Sequence, residues 1–183
     1  MRCKFLKGIP GLMFAAAAFF AIAGVSALEG AEGMNLVPVK DFDLQKYLGT
    51  WYEIARMPAS FEKDLVKVTA TYSLRKDGKV KVLNQGYKKT FQGKHSIAVG
   101  KAKFAGDPGA GHLKVSFFGP FYADYIVVEL DPGYNYALVI SSADYAWILG
   151  RTAALDPAIL NRLIAKARQF GVDTSRLYMT PQE

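Results

Sequence analysis

From Asp41 onwards, polar and apolar residues alternate in short runs that are separated by turn residues. This period of two is typical of half-buried β-strands. The runs are "TWYEIARM", "LVKVTATYSLR", "KVKVLNQGY", "HSIAVGKAKF", "HLKVSFF", "YADYIVVEL", "YNYALVISS" and "YAWILGRT". Turns of hairpin length, such as Asp77-Gly78 and Gly119-Pro120, join them. The pattern predicts an all-β fold, an eight-stranded antiparallel up-and-down β-barrel, because closure removes the exposed edges of a long meander.

Helical spacing occurs in two places. Apolar residues recur every three to four positions between Asp156, which can cap a helix, and Gly171, which can end it. One such C-terminal α-helix is predicted to pack outside the barrel. The segment "DFDLQKYLG" predicts a single helical turn capped by Asp43 and stopped by Gly49. The tail "DTSRLYMTPQE" predicts a short edge strand.

The N-terminus has the pattern of a secretory signal peptide. Three basic residues precede the apolar run "GLMFAAAAFFAIAGV", and "VSA" follows it. We predict cleavage after Ala27, an arm over residues 28–40 and one domain over residues 41–183. The alternative is a membrane anchor, although the run is shorter than the ~20 residues of a spanning helix. The single cysteine, Cys3, precedes the run, so we expect a periplasmic or secreted form, with association with the outer membrane left open.

Charge and composition narrow the function classes. The net charge falls from +7 to +4 when the three basic residues of the signal are removed, which does not favour nucleic acid. Without a cysteine, the mature chain must be held together by its core rather than by disulfides.

Candidate catalytic groups are sparse. His95 and His112 fall on different predicted strands, so we expect neither a metal site nor a cofactor. The carboxylates nearest the first strand are dispersed and predict no acid/base pair; they are Asp41, Asp43, Glu53, Glu62 and Asp64. We therefore predict a binding protein rather than an enzyme.

An eight-stranded barrel holds either a packed interior or one small ligand. Alternation predicts an interior of aromatic and small residues, which favours a cavity. The predicted inward residues that would contact a ligand are Glu53, Ala55, Val68, Tyr72, Asn84, Phe104, Phe117, Tyr125 and Trp147. A register error of one residue would reverse the assignment for a whole strand.

Two segments resemble conserved blocks of the lipocalins. "GTWYEIAR" matches the Gly-x-Trp-[Tyr/Phe] signature at the first strand, and "WILGRT" is similar to the last block, which ends in an arginine. The resemblance extends from about residue 38 to the end and is strongest to the bacterial outer-membrane lipocalins and to apolipoprotein D. It implies that Gly49, Trp51, Tyr52 and Arg151 form a structural signature, with the arginine across the tryptophan ring at the closed end.

The resemblance also implies a carrier of single-chain lipids, either fatty acids or lysophospholipids, whose mouth includes the Gly119-Pro120 turn. Phe118, Phe121 and Tyr122 would form an apolar lip that contacts a membrane or a second copy in a homodimer. A carrier of haem, a pigment or a sterol stays open. So does a lipid-modifying enzyme with Glu53 or Tyr125 as acid or base.

Overall fold

The computed structural model describes residues 34–183. In chain order the elements are α1 (Leu44–Tyr47), β1 (Gly49–Arg56), a 3-10 turn (Ser60–Glu62), β2 (Leu65–Leu74), β3 (Val80–Lys88), β4 (His95–Phe104), β5 (His112–Phe118), β6 (Phe121–Leu130), β7 (Tyr136–Ser142), β8 (Tyr145–Gly150), α2 (Pro157–Gln169), a 3-10 turn (Thr174–Arg176) and β9 (Tyr178–Met179). The predicted signal peptide and the first part of the predicted arm lie outside the described residues.

Eight of the strands close into one antiparallel barrel. Each strand from β2 to β7 pairs with the next, β8 pairs with β1, and β1 pairs back with β2. The predicted meander is therefore confirmed, and its hairpin connections explain why the strands follow one another around the barrel in sequence order.

Both predicted helical segments are present. The Asp43 carboxylate accepts a hydrogen bond from the Gln45 N–H at the start of α1. The Asp156 carboxylate caps α2 in the same way, with Pro157 in the first turn. Gly171 follows α2 with a φ of +88°, a conformation that glycine adopts without strain.

Two apolar clusters lie on opposite sides of the barrel wall. The outer cluster fills the space between the wall and α2, where Leu163 and Ala167 are buried against Leu138 and Ile148. The inner cluster fills one end of the barrel, around Trp51. The alternation of the strands supplies both clusters, because successive side chains point to opposite faces.

The C-terminal tail completes the wall where β1 and β2 separate. These strands pair only between Gly49–Tyr52 and 69–72. Beyond that point β9 pairs with β1, the Thr180 N–H donates to the Ile54 carbonyl at 3.0 Å, and the Lys67 N–H donates to the Pro181 carbonyl at 2.7 Å. The predicted edge strand is thus present, and the tail satisfies main-chain groups that the splayed strands leave open.

Candidate ligand-binding cavity

One end of the barrel, which we call the closed end, is sealed by α1 and Trp51. Trp51 has no exposed surface, and its indole N–H donates to the Tyr47 carbonyl at 2.8 Å. The Arg151 guanidinium lies 3.9 Å from the centroid of the Trp51 ring, a cation–π contact. Arg151 also donates to the main-chain carbonyls of Lys46, Leu48 and Thr50 at 2.8–2.9 Å. The guanidinium therefore connects α1 to the start of β1 and to the end of β8.

The other two signature positions have different surroundings. Gly49 has a φ of +94°, and a Cβ there would lie 3.3 Å from an Arg151 guanidinium nitrogen, so both backbone and space favour glycine. Tyr52 points to the outer face and packs in the cluster under α2. Gly49 therefore belongs to the closed end and Tyr52 to the outer wall.

Towards the opposite end, which we call the mouth, the interior is less filled. At the closed end Ala137 and Leu149 are buried. Inward-facing residues nearer the mouth are only partly buried, and Ala98, which pairs with Asn84, is exposed. The half-buried inward residues nearest the mouth are Asn84, Phe117 and Trp147. Because these side chains face the lumen, their exposure indicates open space inside the barrel.

Three tyrosine hydroxyls meet inside the barrel; we call Tyr47, Tyr72 and Tyr125 the tyrosine trio. The Tyr125 hydroxyl lies 2.7 Å from the Tyr47 hydroxyl and 2.8 Å from the Tyr72 hydroxyl. The three residues come from α1, β2 and β6, so their side chains converge from separate parts of the wall. Burial raises the pKa of Tyr72 to about 12 and raises the pKa of Tyr47 and Tyr125 as well. The trio is therefore uncharged and keeps its hydroxyl protons.

Near the mouth, one guanidinium lies between two buried carboxylates. Arg56 donates to the Glu53 carboxylate at 2.5 Å and to the Glu62 main-chain carbonyl at 2.6 Å. The Glu62 carboxylate lies 3.9 Å from Arg56 and accepts a hydrogen bond from the Trp147 indole N–H at 3.2 Å. The Thr180 hydroxyl donates to Glu53 at 2.6 Å. We call Glu53, Arg56 and Glu62 the mouth cluster.

One cation cannot balance two buried carboxylates. Burial, with the neighbouring Glu53 charge, raises the pKa of Glu62 to about 8. Burial also raises the pKa of Glu53, against the lowering effects of Arg56 and Thr180. Since Glu53 has the closer contacts to Arg56, Glu62 is the carboxyl that holds a proton at neutral pH.

The rim of the mouth exposes aromatic and basic side chains. Phe118 and Phe121, which flank the Gly119-Pro120 turn, are 49% and 58% exposed. Phe61, in the β1–β2 connection, stacks on Tyr145 with 6.1 Å between ring centroids. Lys63 and Lys88 also lie at this end, where the Lys88 ammonium donates to the Lys63 carbonyl at 2.8 Å.

Tyr122 differs from its two neighbours in the predicted lip. It is half-buried on the outer wall, where the Lys101 and Lys103 ammoniums lie 5.7 and 4.9 Å from the centroid of its ring. The exposed part of the lip therefore consists of Phe118 and Phe121.

One predicted inward residue points the other way. Ala55 lies in the outer cluster under α2, so its assignment to the interior was wrong. A register shift between Glu53 and Ala55, where β1 pairs with β8, reverses the alternation at this point. The residues whose strand pairing and packing do place them on the inner face are Glu53, Tyr72, Asn84, Phe104, Phe117, Tyr125 and Trp147. Val68 lies where the pairing of β2 with β3 shifts register.

The carboxylates near the first strand were expected to be too dispersed to form an acid/base pair, but the fold brings two of them, Glu53 and Glu62, to the same guanidinium. The β1–β2 connection folds back so that both contact Arg56. The sequence assigned no role to Arg56 or Tyr47, and Glu62 was named only among the dispersed carboxylates. The available signal for Arg56 was its position at the end of a strand whose one other charged residue is Glu53.

Two further features, a metal site and a membrane-spanning helix, were sought in the described part of the chain. Among residues 34–183, no group of three or more histidine, cysteine, aspartate or glutamate side chains could hold a metal ion. None of the helices within the same range is long and apolar enough to cross a membrane. His112 forms a 2.7 Å contact with Asp124, and His95 stacks on Tyr87, on separate strands.

The chain belongs to the lipocalin family: residues 42–182 match the family described as "Lipocalin-like domain". It is 45% identical over 170 residues to "Outer membrane lipoprotein Blc" of Vibrio cholerae, covering 91% of this chain and 99% of the relative. It is 36% identical over 156 residues to "Apolipoprotein D" of Mus musculus, covering 79% of this chain and 80% of the relative. Among solved structures, insecticyanin from the tobacco hornworm Manduca sexta shares the fold, with a TM-score of 0.65 at 23% identity over 80% of this chain and 84% of that one. The resemblance seen in the sequence is thus confirmed, and lipocalins are a class that binds small hydrophobic ligands.

Proposed function

We propose that this protein carries single-chain lipids, either fatty acids or lysophospholipids, with the acyl chain in the barrel and the head group at the mouth. The observation that supports this most is the partly exposed lining of the mouth half, where Phe117 and Trp147 face the lumen. Each buried methylene contributes ~0.8 kcal/mol, so about ten would supply ~8 kcal/mol, which corresponds to roughly micromolar affinity before ordering costs. Such an affinity suits a protein that both takes up and releases its ligand.

The acid and base candidates inside the barrel support a carrier rather than an enzyme. The Tyr125 hydroxyl is engaged by two other tyrosines, and burial raises its pKa. The Glu53 carboxylate accepts from both Arg56 and Thr180. A general base is poised by a pKa near the working pH, whereas the Tyr125 hydroxyl keeps its proton and Glu53 is held by an ion pair with Arg56.

The N-terminal pattern supports export. Cleavage after Ala27 would release residues 28–183 into the periplasm or the medium, with residues 41–183 as the lipocalin domain. The bacterial relative is named as an outer membrane lipoprotein, and this chain has no cysteine after the apolar run. We therefore propose a location in the cell envelope without a lipid anchor of this kind.

The exposed aromatic pair at the rim supports a contact with a membrane during lipid transfer. Phe118 and Phe121 lie beside the opening, and Lys63 and Lys88 lie at the same end. Aromatic side chains insert at the head-group level, while lysines attract anionic lipids. A homodimer formed through the same pair is the competing arrangement, and the oligomeric state in solution distinguishes the two.

Native mass spectrometry of the protein purified from cells, followed by lipid extraction, tests the proposal. We expect a single-chain lipid in the extract and saturable binding of a labelled lysophospholipid to the emptied protein. An absorption band in the visible range would indicate haem or a pigment instead. A protein that arrives empty and binds neither a labelled fatty acid nor the lysophospholipid would overturn the proposal.

A further inference from the structure

Two polar features lie within a lumen that an unmodified acyl chain would fill with methylene groups alone. One is the tyrosine trio, and the other is Asn84. Buried polar groups are stable when they are hydrogen-bonded, and a ligand that cannot pair with them loses affinity. The polar groups of the lumen therefore indicate that the ligand carries a polar group as well as an apolar chain.

The trio has more hydrogen-bonding capacity than it uses. Each phenol carries one O–H donor and two acceptor lone pairs. The two hydroxyl–hydroxyl contacts, of 2.7 and 2.8 Å, use two of the three protons. One O–H group is therefore left to donate outside the trio. All three groups keep their protons at physiological pH because burial raises the pKa of each.

Asn84 supplies an acceptor on the same inner face, nearer the mouth than Tyr72. Its Oδ1 is buried and has no hydrogen-bond partner within the part of the chain that the structure describes. Its neighbours across the sheet on both sides are alanines, Ala70 and Ala98, so small side chains flank it. The residue as a whole is half-buried on the inner face, so part of the side chain is open to the lumen.

The strand register fixes where Asn84 lies relative to the trio. Tyr72 pairs with Val82, and Asn84 comes two residues further along β3 in the direction of the mouth. Two residues of a strand span about 7 Å. A chain that enters from the mouth therefore passes the Asn84 level before it reaches the level of Tyr72.

We propose that the lumen selects single-chain lipids that carry a hydroxyl group part-way along the acyl chain, bound between Asn84 and the tyrosine trio. A hydroxyl matches both features, since it accepts from the free phenol O–H and donates to the Asn84 oxygen. A site of this kind discriminates strongly against the analogue without the hydroxyl, because its own polar groups are then left unpaired. This inference rests on the proposed function, since it concerns the ligand of the same cavity.

The test compares stearic acid with a series of monohydroxylated stearic acids that differ only in the carbon that carries the hydroxyl. Dissociation constants are measured by calorimetry on the mature protein. At least one isomer should bind about tenfold more tightly than stearic acid. Asn84→Leu and Tyr125→Phe should each bring that ratio to within about twofold, with stearic acid bound as well as before or better.

Gln85→Leu is the matched control. Gln85 is the next residue of β3, pairs with Thr69 and Ile97, and points to the outer face. This variant should keep the preference for the hydroxylated isomer. If Tyr125→Phe fails to fold, as judged by its melting curve, Asn84→Leu decides the question alone.

The same measurements separate a loss of the hydroxyl selectivity from a failure of the carrier function. If stearic acid binds and no isomer exceeds it by more than about twofold, the selectivity is overturned and the carrier function stands. A preference that survives in both Asn84→Leu and Tyr125→Phe would also overturn the assignment. If none of the acids binds, the carrier function fails, and this inference fails with it.

Discussion

The two ends of the barrel differ in how completely their polar and charged groups are paired. At the closed end, the Arg151 side chain covers the Trp51 ring and donates to five main-chain carbonyls. At the mouth, Arg56 is shared between two carboxylates, and aromatic side chains remain exposed. The closed end therefore resembles an ordinary core, whereas the mouth keeps groups whose state depends on pH and on contact with other molecules. The free energy of unfolding should depend mainly on the closed end, and ligand binding should depend mainly on the mouth.

The two tryptophans of the chain, one at each end, give the largest expected contrast. Trp51→Ala should lower the free energy of unfolding by about 3–5 kcal/mol, because a fully buried ring is removed and Arg151 loses its contact. Trp147→Ala should cost less, because this ring is half-buried, but it should weaken lipid binding. Urea unfolding followed by circular dichroism measures the first effect. An equal loss of stability in both variants would contradict the contrast.

The mouth cluster should make stability depend on pH. In the folded state the pKa of Glu62 is raised from its usual 4.5 to about 8, so folded protein binds a proton that unfolded protein has released. Stability should therefore fall as the pH rises between these two values, by up to about 5 kcal/mol, or roughly 10–20 °C in Tm. Thermal melts across this range measure the slope.

Glu62→Gln should remove most of that pH dependence, because the amide stays neutral throughout. Glu129→Gln, on the outer wall where Glu129 pairs with Arg162, serves as the control and should keep the slope. A Glu62→Gln variant with the slope of the parent protein would show that Glu62 does not hold the proton.

The C-terminal tail should make a smaller contribution at the same end. Thr180→Val removes the hydroxyl that donates to Glu53 at 2.6 Å and accepts from Arg56 at 3.0 Å. We expect a loss of about 1.5 kcal/mol in the free energy of unfolding, because both partners are buried and charged. Thr174→Val is the control, since Thr174 accepts from Arg168 at an exposed position, and its effect should stay below about 0.5 kcal/mol. Equal effects of the two changes would contradict a role for the tail in the mouth cluster.

The exposed aromatic pair should have the smallest effect on stability. Phe118→Ser with Phe121→Ser should change the free energy of unfolding by less than about 0.5 kcal/mol while slowing transfer of labelled fatty acid to anionic vesicles. Ile97→Ser with Val99→Ser is the matched control, because these residues of the outer wall are 58% and 56% exposed. Unchanged transfer and unchanged oligomeric state in the phenylalanine variant would leave this pair a purely structural role.

The closed end could be predicted from the sequence, because its signals are local. Strand alternation, the "GTWYEIAR" block and the "WILGRT" block each lie within a few residues. The mouth could be predicted only in part. Whether Ala55 faces inward depends on a bulge after Glu53 that no residue pattern marks. The partners Arg56 and Thr180 are separated by 124 positions, and only the closure of the barrel by the tail brings them together.

We expect ligand to occupy the mouth half of the lumen. Intrinsic fluorescence tests it directly, because the chain has two tryptophans, Trp51 at the closed end and Trp147 near the mouth. In a Trp51→Phe variant titrated with a fatty acid, the emission of Trp147 should change and saturate. In a Trp147→Phe variant, the emission of the buried Trp51 should hardly change. A silent Trp147, or an equal response from Trp51, would contradict the claim.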